Sequence, residues 1–347
     1  MNSSKLVGIP RALLCYYYYP AWATFFTELG CKVALSPHTS RKIVDTGVQL
    51  AVDEACMPVK LFFGHAASLL DTSDYIFIPR LVGVESRAFI CPKFMGLPDM
   101  IRAVTPPDAP AILSPCIDLS RGNRTKKVFR EMMNIGLLFS SNQHVVRRAY
   151  EMANKVQLDS EALFFKGYFP DEIASMLLGP RSDLDSSIPS DLAEIAAMAQ
   201  ERKKKEARVT IGVIGHPYLL YDDYTNMAIL PRLSNAGCKV ITSDMIPWEI
   251  IEDELKSLPR WLFWTMGRRL VGAAFHFLHS GRVDGCIHIS AFGCGLDSVV
   301  GEIIEMEAKR SSKIPLTKIT LDEHSGEAGV VTRLEAFLDM INRRKSA

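Results

Sequence analysis

Three thiols stand where the chain turns from loop to helix: Cys56 in DEACMPVK, Cys91 in FICPKFMGLPD and Cys294 in AFGCGLDS. Pro58 follows Cys56 and Pro92 follows Cys91, and proline suits a first helical turn. The free amides and the macrodipole of a helix start favour a thiolate at Cys56. Gly293 and Gly295 flank Cys294, so backbone amides there can approach a ligand closely. Thiolates without histidine or carboxylate company suit soft metals. Iron–sulfur clusters take thiolates, usually four, and three would leave one iron open to a non-protein ligand. Cys116, in LSPCIDL, is the candidate fourth, with packing and ligation both open for it. Separate packed or reactive cysteines is the alternative for the whole set.

The other four cysteines read as structural. Cys31 and Cys238 both stand in the tetrapeptide GCKV, Cys15 lies within a helical run, and Cys286 lies within the strand-like GCIHIS. No CxxC pair occurs among the eight cysteines, which argues against a zinc ribbon or a thioredoxin-type motif. His216 follows the apolar run IGVIG. It is a candidate general acid or substrate ligand, because imidazole titrates near neutral pH; helix capping or packing is the other reading. Tyr221, Asp222 and Asp223 are candidate proton carriers, and Asp222 and Asp223 also read as plain helix-start carboxylates. Arg11, Lys60, Arg80 and Lys93 are cations that would offset a thiolate-bound cluster or hold an anionic substrate. His276, His279 and His288 form no HExxH pattern and are assigned no metal.

What must position these residues is a unit used twice. GIPRALLCYYYYPAWATFFTELGCKVALS (8–36) aligns without a gap to GHPYLLYDDYTNMAILPRLSNAGCKVITS (215–243), pairing Gly8 with Gly215, Pro10 with Pro217, Leu13 with Leu220 and Tyr17 with Tyr224. Each copy runs strand, helix, strand, and such alternation predicts a parallel sheet. DYIFIPRLVGVE (74–85) resembles VDGCIHISAFGC (283–294), each a buried strand followed by a functional loop. The expected architecture is α/β: two Rossmann-like parallel-sheet domains at 1–121 and 208–347, with a helical insertion and linker at 122–207. Facing each other, two such domains bring the carboxyl ends of both sheets to one cleft. The ERKKKE run near residue 203 reads as a solvated helix end.

With 347 residues, two domains are expected. A net charge of +1 gives no electrostatic case for nucleic acid or an anionic membrane surface. MNSSKLVGIP lacks a signal-peptide pattern, and no apolar run reaches the roughly 18–20 residues of a membrane span. A cytoplasmic location is expected, and in a reducing cytosol the cysteines are not a disulfide framework.

GIPRALLCYYYYP, DEACMPVK, ICPKFMGLPD, GHPYLLYDDY and FGCGLDS resemble the acyl-CoA dehydratase activase-related proteins. That group is similar to the iron–sulfur subunits of 2-hydroxyacyl-CoA dehydratase and benzoyl-CoA reductase, and to the double-cubane cluster proteins. The tail ITLDEHSGEAGVVTRLEAFLDMI resembles the end of such subunits. The resemblance implies paired Rossmann-like domains holding a [4Fe–4S]-type cluster through Cys56, Cys91 and Cys294, with one exchangeable iron site. It also implies an ATP-hydrolysing activase as electron donor. A double cubane needs more ligands than these three, so a single cubane is expected. The chain has no GxxxxGK[ST] loop, so ATP hydrolysis is not expected of it.

Three functions follow. The leading one is an iron–sulfur redox protein acting on a small or acyl-CoA substrate, with His216 supplying protons. The second is a non-catalytic cluster scaffold or electron relay, which would enlist Cys116. The third is a metal-free two-lobed binder of a small molecule. A homo-oligomer or a related partner subunit fits each.

Overall fold

The computed structural model describes residues 4–121, 125–179, 207–311 and 314–346. Two four-stranded, all-parallel sheets organise it. The first comprises β1 (Leu6–Ile9), β2 (Lys32–Leu35), β3 (Tyr75–Phe77) and β5 (Ala111–Leu113), in the order β2-β1-β3-β5. The second comprises β7 (Val209–Gly215), β8 (Cys238–Thr242), β9 (Gly285–Ala291) and β10 (Leu316–Leu321), in the order β8-β7-β9-β10. In each sheet the first strand lies between the second and third, and the fourth follows on the outside. The duplication seen in residues 8–36 and 215–243 is therefore a duplication of topology. All seven residues of β9 are buried, as expected of a strand covered on both faces.

One run splits where a single strand was expected. DYIFIPRLVGVE yields β3 and then β4 (Arg80–Gly83), which leaves the main sheet to pair in parallel with β6 (Cys116–Asp118). Prolines stand at both breaks, Pro79 after β3 and Pro115 after β5. Proline carries no N–H, so neither ladder can run through. The chain resumes the pairing one step aside, with the Arg80 amide donating to the Pro115 carbonyl at 2.9 Å.

Between residues 122 and 207 the described residues hold three helices, Thr125–Gly136, Gln143–Phe165 and Pro170–Leu178, and no strand. The ERKKKE run and the start of the expected insertion at 122 lie outside the described residues. The long helix Gln143–Phe165 lays Val146, Ala149 and Ala153 against Phe25 and Phe26 of helix Cys15–Glu28, in one apolar cluster.

The helix Met57–Ala67, which follows Cys56, is held by a backbone-close crossing with helix Arg41–Leu50. A Cβ on Gly47 would lie 2.0 Å from the Lys60 carbonyl oxygen, and one on Gly64 would lie 2.0 Å from that of Ile43. Only glycine permits that approach. No helix among the described residues is long and apolar enough to cross a membrane.

The two halves also clasp each other reciprocally. Tyr17, on helix Cys15–Glu28, donates its hydroxyl to Asp244, just past β8. In the other direction Thr39, just past β2, donates to Asp222 Oδ2 at 2.5 Å. Ser36 and Ser243 occupy matching positions in the repeat and are both fully buried.

Candidate thiol site

The three singled-out cysteines converge. Cys56 directly precedes helix Met57–Ala67, Cys91 precedes helix Pro92–Val104, and Cys294 precedes helix Gly295–Ser311. Each half-buried thiol thus sits at a helix N-terminus, and all three line one cavity with Lys93, His216 and Tyr218. Gly293 makes the approach possible. Its φ is +75°, and a Cβ placed on it would lie 3.7 Å from Cys56 Cα, so the Cys294 loop abuts the Cys56 loop. The loops after β1, β7 and β9 reach this cavity through Leu13, His216 and Cys294, so strand ends of both four-stranded sheets contribute to it.

Burial reverses the expected thiolate at Cys56. Removal from water pushes that thiol up to about 11, Cys294 and Cys91 add like charge, and the Val59 amide and Lys93 only partly oppose them. Cys91 is raised by the same burial and by Cys294. A helix N-terminus contributes a fraction of a unit charge over its first turn, which is too little to offset desolvation beside two further thiols. A bound cation would supply the missing charge, and thiolate ligation would release protons.

His216 precedes the short helix Pro217–Leu220 and is 3% exposed. Burial alone would lower its pKa, but Asp297 and Cys294 outweigh burial and raise it to about 10. His216 Nε2 lies 2.9 Å from Asp297 Oδ1, and the carboxyl is held below its usual range by that imidazole despite its own burial. The ring stacks on Tyr218, with centroids 5.0 Å apart. Burial, followed by Asp297 and the three thiols, keeps the Tyr218 phenol protonated well beyond its ordinary range. His216, Cys294 and Asp297 each offer one donor atom within 4.8 Å of the others.

Other expected site residues lie elsewhere. Cys116 is on β6 opposite Arg80 in the ladder and donates its amide to Glu131 Oε2 at 3.3 Å; it does not line the thiol cavity. Asp222 is buried in a separate polar chain. Ser36 Oγ lies 2.9 Å from His65 Nδ1, His65 Nε2 lies 3.0 Å from Thr39 Oγ1, and Thr39 donates to Asp222, which also accepts the Thr225 amide. Of the four basic residues considered, Lys93 lines the cavity. Lys60 pairs with Glu323 at 2.5 Å, Arg80 with Asp99 at 2.7 Å and Arg11 with Asp171 at 3.4 Å.

Asp297 and Tyr218 belong to the site and were not singled out from the sequence. An acid in the first turn after Cys294 was the available signal for Asp297. Nothing local pairs it with His216.

The donor set suits a soft metal. Its free volume is about 30 Å³, roughly two waters' worth, so a four-iron cluster would be seated only with displacement of lining side chains.

Residues 6–246 match the model of the family described as CoA enzyme activase uncharacterised domain (DUF2229). That span holds Cys56, Cys91 and His216 and stops short of Cys294. No curated protein matches the chain.

Proposed function

From the premise that the chain belongs to the CoA enzyme activase uncharacterised domain family, we propose that it is an iron–sulfur redox protein serving CoA-dependent chemistry. The observation that carries the reading is the convergence of Cys56, Cys91 and Cys294 from three helix starts and both sheets on one cavity. When bound, a [4Fe–4S]-type cluster with an open iron would supply single electrons at low potential.

The chain's own residues have defined parts. The three thiols hold the metal, and Lys93 sets its positive charge against theirs. His216, kept protonated by Asp297, and the Tyr218 phenol are proton donors facing the same space. Each thiol is preceded by an exposed apolar residue: Val52 at 60%, Phe89 at 36% and Phe292 at 69%. Exposed apolar side chains so near the thiols in sequence suit a protein partner, and an ATP-hydrolysing activase delivering electrons is the partner this reading takes. The substrate is a small molecule or an acyl-CoA. A relay without its own substrate is the same site used differently.

The test is anaerobic reconstitution with iron and sulfide of wild-type chain and of single serine variants. Cys56→Ser, Cys91→Ser and Cys294→Ser should each lose most of the bound iron, while Cys116→Ser retains it. Full loading in all three, or loss only in Cys116→Ser, overturns the assignment.

A second reading has its own observation. The donor atoms of His216, Cys294 and Asp297 are close enough for a single metal ion, which the free volume admits without displacing a side chain. It predicts iron or zinc without acid-labile sulfide.

A further inference from the structure

A second cavity, of about 120 Å³, lies beside the thiol site; Met266 lines both. Helix Cys15–Glu28 contributes Tyr17 and Tyr18, helix Gln143–Phe165 contributes Gln157 and Glu161, and the second half contributes Asp244 and Trp248. Glu85 completes the acidic wall.

The cavity wall carries three carboxylates, Glu85, Glu161 and Asp244, together with the Thr265 hydroxyl and the Arg269 guanidinium. Asp244 is 2% exposed; its Oδ1 accepts from Tyr17 and the Tyr221 hydroxyl also faces the carboxyl, while Oδ2 has no partner within ordinary hydrogen-bond distance among the described residues. Gln157 donates to Glu161 at 3.2 Å, leaving its own buried Oε1 without a donor. The cation at the wall, Arg269, is already engaged: its guanidinium lies 4.1 Å over Trp248 and reaches the Ile246 carbonyl at 3.4 Å. A buried carboxylate oxygen without a donor is costly to keep, so its persistence at a cavity wall points to a donor that arrives from outside.

We propose that this cavity binds a small organic ammonium compound. The positive head meets Asp244 and Glu161, and the alkyl body lies against Tyr17, Tyr18 and Phe164. The volume holds roughly eight waters' worth of guest, enough for a compact amine and far too little for a CoA thioester. Burial pushes the Asp244 carboxyl up, with Arg269, Tyr17, Tyr221 and His216 only partly opposing it, and a cationic guest adds to the countercharge. The inference rests on this cavity alone and not on metal at the thiols.

The test is calorimetric titration of the full chain with n-pentylammonium chloride, set against 1-pentanol as the neutral isostere and pentanoate as the anion. Saturable binding of the ammonium, at least about tenfold tighter than the alcohol, and no binding of pentanoate are expected. Asp244→Asn and Glu161→Gln should each weaken it several-fold. Glu161 is exposed, so its variant folds even if the buried one does not. No saturable ammonium binding, equal binding of the alcohol, or unchanged affinity in Glu161→Gln together with folded Asp244→Asn would overturn the proposal.

Discussion

His65 offers a quantitative check on how the two halves are joined. It is fully buried between Ser36 and Thr39, and the Thr39 hydroxyl donates a hydrogen bond across to Asp222. One proton order satisfies the whole chain: Ser36 donates to Nδ1, Nε2–H donates to Thr39, and Thr39 donates to Asp222. That order needs a neutral imidazole. Burial first, then Arg11 and His38, push its pKa down to about 3. Between that value and the ordinary 6.5, the unfolded chain binds a proton that the native protein refuses. Stability from this group is therefore fully present above pH 6.5 and drains away as pH falls, at about 1.4 kcal/mol per pH unit. Near pH 5 the loss is about 2 kcal/mol. His65→Gln removes the titration, so urea unfolding of both proteins from pH 7.5 to pH 5 isolates it. The stability gap between them should close by about 2 kcal/mol as pH falls. A gap that stays constant or widens refutes both the neutral imidazole and the proton order built on it.

Three further outcomes follow from the packing. Thr39→Val strips Asp222 of its cross-half donor and should cost about 1–3 kcal/mol by chemical denaturation, whereas Ser40→Ala, at an exposed helix cap, should cost about 1 kcal/mol. Gly64→Ala drives a methyl into the Ile43 carbonyl and should destabilise by about 1–3 kcal/mol, read as a lowered melting temperature. Gly293→Ala places a side chain at φ +75°, a strain of about 1 kcal/mol, and should weaken metal retention more than overall stability; equal effects on both would contradict its part in seating Cys294.

The duplicated topology was legible because GCKV and the flanking periodicity recur at one spacing, and a strand–helix–strand pattern has few folded solutions. The three helix-start thiols were legible because proline or glycine marks each one. Other features had no local signal. Asp222 looks identical in sequence whether it faces a substrate or Thr39, since its partner arrives from the opposite half of the chain. Cys116 followed an apolar run as a strand-end ligand would, but Pro115 shifts it into the small β4–β6 sheet beside Glu131. Cys56 keeps its proton because desolvation by residues distant in sequence outweighs the helix terminus that the sequence does display.

The most direct test of the central claim is the ratio of iron to acid-labile sulfide in the chain isolated without oxygen. The account predicts about four of each per chain, as a cubane requires. Iron without sulfide would mean a single-ion site at Cys294, His216 and Asp297, and neither element after reconstitution would contradict the cluster altogether.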